Sequence, residues 1–155
     1  METDVLSFLL SQDSLSHLTG RRIYPLHLPK NPSYPAITFQ QVSADHGHHL
    51  RGALGHVSAR FQFDIWADDI VQLEQTTEGL RQTLDGYIGP MGTRICILAK
   101  LLNVTSFAVR PVDNSDSWLY RKSCDYNLKL TESVPMFSLY GITIGGSAEI
   151  SFIAH

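Results

Sequence analysis

Cysteine is scarce: the 155 residues hold only Cys96 and Cys124. That excludes a disulfide-dense scaffold and a CxxC zinc ribbon, and it fits a reducing compartment. A basic excess is missing as well. Twelve Lys and Arg stand against fifteen Asp and Glu, a formal net charge of −3, where a dedicated duplex-binding domain carries the opposite balance. Long apolar runs are absent. Ile95–Ala99 and Phe137–Ile144 are short or interrupted by polar residues and glycine, well below the ~20 residues of a membrane span. The start, Met-Glu-Thr-Asp-Val, is acidic where a secretory leader is basic. No internal repeat or low-complexity tract occurs. What remains is ordinary: 43% of residues are apolar, enough for one packed core. The expectation is a soluble, intracellular, single-domain protein.

Hydrophobic spacing divides the chain. Glu2 to Leu18 reads as helix, with Val5, Leu6, Leu9 and Leu10 at three-to-four spacing and Thr3 or Asp4 as its cap. Ser11-Gln-Asp-Ser14 can split it into a helix and a second short turn, and Gly20 stands where a helix end takes a left-handed residue. Arg21–Pro29 reads as an edge strand or covering segment, because Pro25 and Pro29 donate nothing to a ladder. Ala36–Ser43 is strand-like. Residues 44–56, with three glycines and no strict period, read as a loop. From Val57 to Trp66 the alternation is strict: Val57, Ala59, Phe61, Phe63 and Ile65 on one face. Asp68 or Asp69 then caps a helix in which Ile70, Leu73, Thr77, Leu80 and Leu84 share a stripe, and Gly86 and Gly89-Pro90 stop it. Ile95–Pro111 is β-rich, with a break near Asn103. Asp113–Asp116 is a turn, and Trp118–Leu130 alternates again. The reading is an α+β domain: an antiparallel sheet of about four strands packed against two helices. This domain spans 1–132, and 133–155 form a C-terminal extension rich in Ile, Phe and Leu, with Gly141 and Gly145-Gly146 as bends.

Few residues point to chemistry. His46, His48, His49 and His56 cluster in the glycine loop, a spacing open to a transition metal. Neither HExxH nor a carboxylate partner accompanies them, so no metal is expected. There is no GxSxG elbow. Cys124 falls on an apolar strand face and Cys96 inside a β-rich run, as inert buried thiols do. Gly141 and Gly145-Gly146 match neither GxxxxGK[ST] nor GxGxxG. No catalytic residue, cofactor or metal site is assigned. Apolar surface is the stronger signal, because an apolar tail packs on its own domain or on a neighbour. The candidate interface comprises His49, Leu50, Arg51 and Leu54 in the loop, Trp118, and Met136, Phe137, Leu139, Tyr140, Ile142 and Ile144 in the arm.

An ordered set of segments over residues 3–130 resembles the tail completion, or tail terminator, proteins of long-tailed bacteriophages and gene transfer agents. The set runs from the N-terminal helix ending at Gly20 through Arg22-Ile-Tyr-Pro25, Leu28-Pro29 and Tyr34-Pro-Ala-Ile-Thr-Phe-Gln40. It continues with the glycine loop ending near Gly55, Ala59-Arg-Phe-Gln-Phe-Asp-Ile-Trp-Ala67 and Tyr120-Arg-Lys-Ser-Cys-Asp-Tyr126. The extension past residue 133 departs from that pattern. The resemblance implies a non-enzymatic virion protein made in the host cytoplasm. It would form a ring, usually of six copies, that caps the head-proximal end of the tail tube. Such a ring stops tube polymerisation and joins the head, with the tube protein and a head-completion or neck protein as partners. DNA would pass through without specific binding, and no membrane is involved. The alternatives are a neck or head-completion connector, a small α+β enzyme, and an adaptor domain.

Overall fold

The computed structural model describes residues 1–109 and 118–134 in full, and the backbone of 137–139, 142–144 and 150–152. Two short helices, α1 (Glu2–Leu10) and α2 (Asp13–Thr19), lead into the stub β1 (Ile23–Pro25) and the long hairpin β2 (Ala36–His49) and β3 (Gly52–Ala67). Helix α3 (Ile70–Leu84) follows, then the stub β4 (Gly89–Met91) and the long strands β5 (Arg94–Val109) and β6 (Leu119–Thr131). These strands make one six-stranded sheet in the order β1-β2-β3-β6-β5-β4. Every pairing in it is antiparallel except β1 with β2. The backbone of β7 (Phe137–Leu139), β8 (Ile142–Ile144) and β9 (Ile150–Phe152) forms a separate three-stranded antiparallel sheet.

The core follows from the period-two pattern. Val57, Ala59, Phe61, Phe63, Ile65 and Ala67 of β3 are buried, and Cys124, Tyr126, Leu128 and Leu130 of β6 lie on the same face. Phe39 of β2 stacks on Phe63 at 5.6 Å between ring centroids, and Tyr126 meets Phe63 edge-on at 5.5 Å. Leu73, Leu80 and Leu84 of α3 and Val5, Phe8, Leu9 and Leu15 of the first two helices close over this face. Leu18 packs so close to Gly79 that a Cβ there would meet its Cδ1 at 2.5 Å, so glycine sets the approach of α2 to α3.

Several expectations need correction. Three helices, not two, are present among the described residues, because the Ser11–Ser14 stretch does split the first segment. The sheet has six strands and is mixed: β1, an edge strand within the Arg21–Pro29 segment read that way, and the unexpected stub β4 flank four long strands. Gly89-Pro90, read as a helix stop, also begins β4. Gly20 ends α2 in the left-handed region, with φ 56°. At the start of α1, by contrast, neither Thr3 nor Asp4 caps; Met1 occupies that position without a side-chain bond. Asp69 is the cap of α3, accepting from the Val71 N–H. Within α3, Thr76 rather than Thr77 is buried, and Ile70 is 51% exposed. The largest departure is 44–56, which is not a loop: β2 and β3 run through it, turning at Leu50-Arg51 with His49 opposite Gly52. The break expected near Asn103 is a register shift between Leu101 and Asn103. The Asp113–Asp116 turn and the Gly141 and Gly145-Gly146 bends lie outside the described residues.

Asp4, only 7% exposed, ties α1 to the β4–β5 turn. Its Oδ1 accepts from the Thr93 N–H at 2.8 Å and the Thr93 hydroxyl at 2.7 Å, and Oδ2 accepts from Arg94 Nε at 3.2 Å. Burial pushes this carboxyl up, but the Thr93 and Arg94 hydrogen bonds outweigh it and hold it below the usual carboxylate value. The folded state thus favours the carboxylate more than the unfolded chain does. Its contribution is present above about pH 4 and is lost as pH falls through the folded-state value. Asp4→Ala should cost about 2 kcal/mol at neutral pH by leaving Thr93 and Arg94 without their acceptor. Thermal melts at pH 7 and pH 3 should show the gap between the two proteins narrowing at the acid end.

Candidate assembly surfaces

The sheet has one face under the helices and one without them. The uncovered face is polar and satisfies itself across strands, as expected of an antiparallel sheet with one wet side. Arg60 pairs with Asp125 at 2.6 Å, Ser58 donates to Asn127 at 3.0 Å, and Gln62 donates to Ser123 at 2.8 Å. Trp66 Nε1 donates to the Thr38 hydroxyl at 2.9 Å, and the Arg121 guanidinium lies 4.4 Å from the Phe107 ring centroid. Most of these contacts run from one strand to the next, while Gln62 also donates to Asp64 on its own strand and the buried Nε of Arg121 has no hydrogen-bond partner.

The loop histidines make separate contacts. His46 Nδ1 lies 2.7 Å from a Glu132 carboxylate oxygen, pinning the hairpin to the end of β6. His49 Nδ1 accepts the Arg51 N–H at 2.9 Å, inside the turn. The His56 ring sits where a Cβ on Gly47 would be, so Gly47 is required for that ring's position. Among the described residues no group of three or more His, Cys, Asp or Glu is arranged to hold a metal ion. No helix among them is long and apolar enough to cross a membrane.

What the chain does present is unfinished edges. On one side β1 accompanies β2 only as far as Phe39, so the outer edge of β2 runs on without a described strand beside it. On the other side β4 pairs with β5 only through Cys96, and the β5 backbone then meets Tyr87, Gly86 and the Asp85 carboxylate up to Leu101. Beyond Leu101, among the described residues, β5 has β6 on one side and no strand on the other. Leu101–Val109 reads LLNVTSFAV, without charge, proline or glycine. Native edges are usually blunted by such residues. Leu102, Val104 and Phe107 on this strand are more than 40% exposed.

Beside that edge is a groove of about 310 Å³ between the first turns of α3 and the upper halves of β5 and β6. Ile70, Leu73, Phe107, Ala108 and Tyr120 form its apolar lining, with Glu74 and Lys122 also in contact with it. At the opposite end of the sheet the β2–β3 hairpin overhangs. β6 reaches only to His56, opposite Thr131, so residues 48–54 extend past it by about 10 Å. Leu50 at this tip is fully exposed and Leu54 is 45% exposed.

A solved virion chain shares this fold. It belongs to the virion of a native gene transfer agent (GTA) particle, and matches with a TM-score of 0.60 at 15% identity, over 84% of this chain and 94% of that one. No protein-family model and no curated protein matches the sequence.

The expected interface residues fall in three places. His49, Leu50, Arg51 and Leu54 come together at the hairpin tip. Trp118 precedes β6, 44% exposed, at the other end of the sheet. Phe137 and Leu139 are on β7, and Ile142 and Ile144 on β8, where the backbone alone is described; Met136 and Tyr140 lie outside the described residues. The open β5 edge and the groove were not anticipated. For the edge there was one signal, the charge-free run between Lys100 and Arg110; for the groove there was none, because Ile70 also fits a core-facing stripe.

Cys96 and Cys124 are buried and free. Burial pushes each thiol up to about 11, so both stay protonated at neutral and mildly basic pH. At pH 8 a thiol-reactive dye should label neither cysteine in the folded chain, while both should react once denaturant opens the sheet. Mass spectrometry of the labelled peptides reads this directly.

Proposed function

We propose that this protein is a non-enzymatic virion component, a tail terminator whose copies close into a ring at the head-proximal end of a tail tube. The observation that carries the reading is a shared fold with a chain of a GTA virion combined with two open sheet edges on opposite sides of one small domain. A closed ring of identical subunits needs two different complementary surfaces on each copy. The outer edges of β2 and β5, each a row of backbone groups with no described strand beyond, are such surfaces. The terminator-like segments at Tyr34–Gln40, Ala59–Ala67 and Tyr120–Tyr126 all lie on the central strands or lead directly into them. Partners on this reading are further copies of the chain, six in the closed ring, together with the tube protein and a head-completion or neck protein.

The electrostatics suit a conduit. Each copy adds three net negative charges, so the ring as a whole does not grip a passing polyanion through net charge. Termination follows from asymmetry, with one ring face matching the tube end and the other rejecting a further tube subunit. The arm from residue 133 is an added assembly contact.

The solution mass across a range of concentrations, alone and with headless tail tubes, tests this. A discrete closed oligomer, near six copies, that also binds tubes supports the terminator. An oligomer indifferent to tubes points to a neck connector, and a chain monomeric under both conditions overturns the ring. For the arm, the cut belongs after Val134, because Val134 packs near Gly55 and the Glu132 N–H donates to the Gly55 carbonyl. Removing residues 135–155 should leave the melting temperature of the monomer within a few degrees while weakening assembly. A truncated chain that fails to fold would place the arm in the core.

A further inference from the structure

We propose that the groove at the start of α3 is the socket for the β2–β3 hairpin tip of a second copy of this chain, with Leu50 as the inserted side chain. This inference rests on the ring reading and names one contact within it. The tip has the makings of a knob. It overhangs the sheet, Leu50 is fully exposed, and Leu54 shows a second apolar face beside it. His46 is tied back to Glu132 and His49 to the Arg51 amide, so the turn is held in shape rather than left to be ordered on contact.

The groove supplies what the knob lacks. Ile70, on its helix side, is 51% exposed, Ala108 and Tyr120 lie on its strand side, and its deeper lining includes buried Leu73. The charges are complementary. Exposed Asp68 and Asp69 immediately precede Ile70, and exposed Glu74 lies one turn further along the helix. Lys122 is the cation that touches the same groove. The tip carries Arg51, with His48 and His49 beside it and no carboxylate between residues 46 and 56. An apolar anchor entering an apolar groove with carboxylates along its helix side is the arrangement in which a few residues dominate a contact.

Placement also fits. The tip lies beyond the Thr131 end of the sheet, and the groove lies near the opposite end, where Tyr120 faces Ala67. No chain can fill its own groove with its own tip. Joining tip to groove therefore takes a second copy, and repeated in one direction from copy to copy it gives the heterologous geometry a ring requires.

Disulfide trapping tests the contact in the full chain. With both native thiols buried, Leu50→Cys and Ile70→Cys in one chain should crosslink between copies under mild oxidation. Leu50→Cys paired with Leu26→Cys, at an exposed site away from the groove, should not. Leu50→Glu changes a fully exposed side chain, so its circular dichroism should match the parent, while the concentration needed for assembly rises roughly tenfold or more. Arg51→Glu should weaken assembly, and adding Glu74→Arg should restore part of the loss. If the parent is a closed oligomer but the Leu50–Ile70 crosslink is absent and Leu50→Glu assembles normally, the socket is wrong and the ring stands. If the parent is monomeric throughout and no crosslink forms, both are overturned.

Discussion

Everything in this domain depends on the register in which three strands bury one aromatic layer. Phe39, Phe61, Phe63 and Tyr126 come from β2, β3 and β6 and meet at centroid distances of 5.5 to 6.4 Å. A slip of one residue in any of these strands would turn its aromatics out to water and bring Arg60, Gln62 or Asp125 beneath the helices. The same register aligns the polar ladder on the far side, where Ser58 meets Asn127 and Gln62 meets Ser123. One packing constraint thus sets both faces at once. The two ends of the sheet, where the hairpin and the groove lie, are positioned as a consequence.

The parts of the fold that could be read from sequence are those where each strand keeps a single phase. Val57–Ala67 alternates without a break because β3 pairs on both sides with no shift against β6. Trp118–Leu130 is legible for the same reason. Phase is lost where a residue is inserted. Register shifts fall between Gln41 and Ser43, between His46 and His48, between Cys96 and Leu98, and between Leu101 and Asn103. At those points an apolar residue such as Val42, Ile97 or Leu102 comes out exposed, and the periodic signal fades. Residues 44–56 suffer twice, from the bulge at Gly47 and from having no buried face, so nothing in their hydropathy marked them as strand. The pairing there is carried by the backbone, which every sequence possesses.

The candidate surfaces were legible to differing degrees for a related reason. Leu50 and Leu54 stood out as apolar residues among polar and glycine neighbours, and they are at the surface. The groove was not legible, because Ile70 and Leu73 also fit an ordinary core-facing helical stripe. Leu73 is buried while Ile70 is half-exposed. What separates them is that the first turn of α3 extends over the exposed upper parts of β5 and β6 rather than over the packed centre of the sheet. That is a property of how elements overlap in space, and no local pattern encodes it. The shared fold with a GTA virion chain at 15% identity illustrates the same point. An overlap of elements can persist when the residues that express it have changed.

The β5 edge, with no strand beside it past Leu101 among the described residues, carries a further consequence for how such a protein must be handled by the cell that makes it. A nine-residue stretch with no charge, proline or glycine does not discriminate between a proper neighbour and any other extended chain that reaches it first. Productive joining and indiscriminate stacking are then competing reactions of the same backbone groups, and both speed up as the protein accumulates. The outcome is a race decided by supply. On the ring reading, such a chain is best served by being made in step with the copies it joins, so that each is captured soon after it folds.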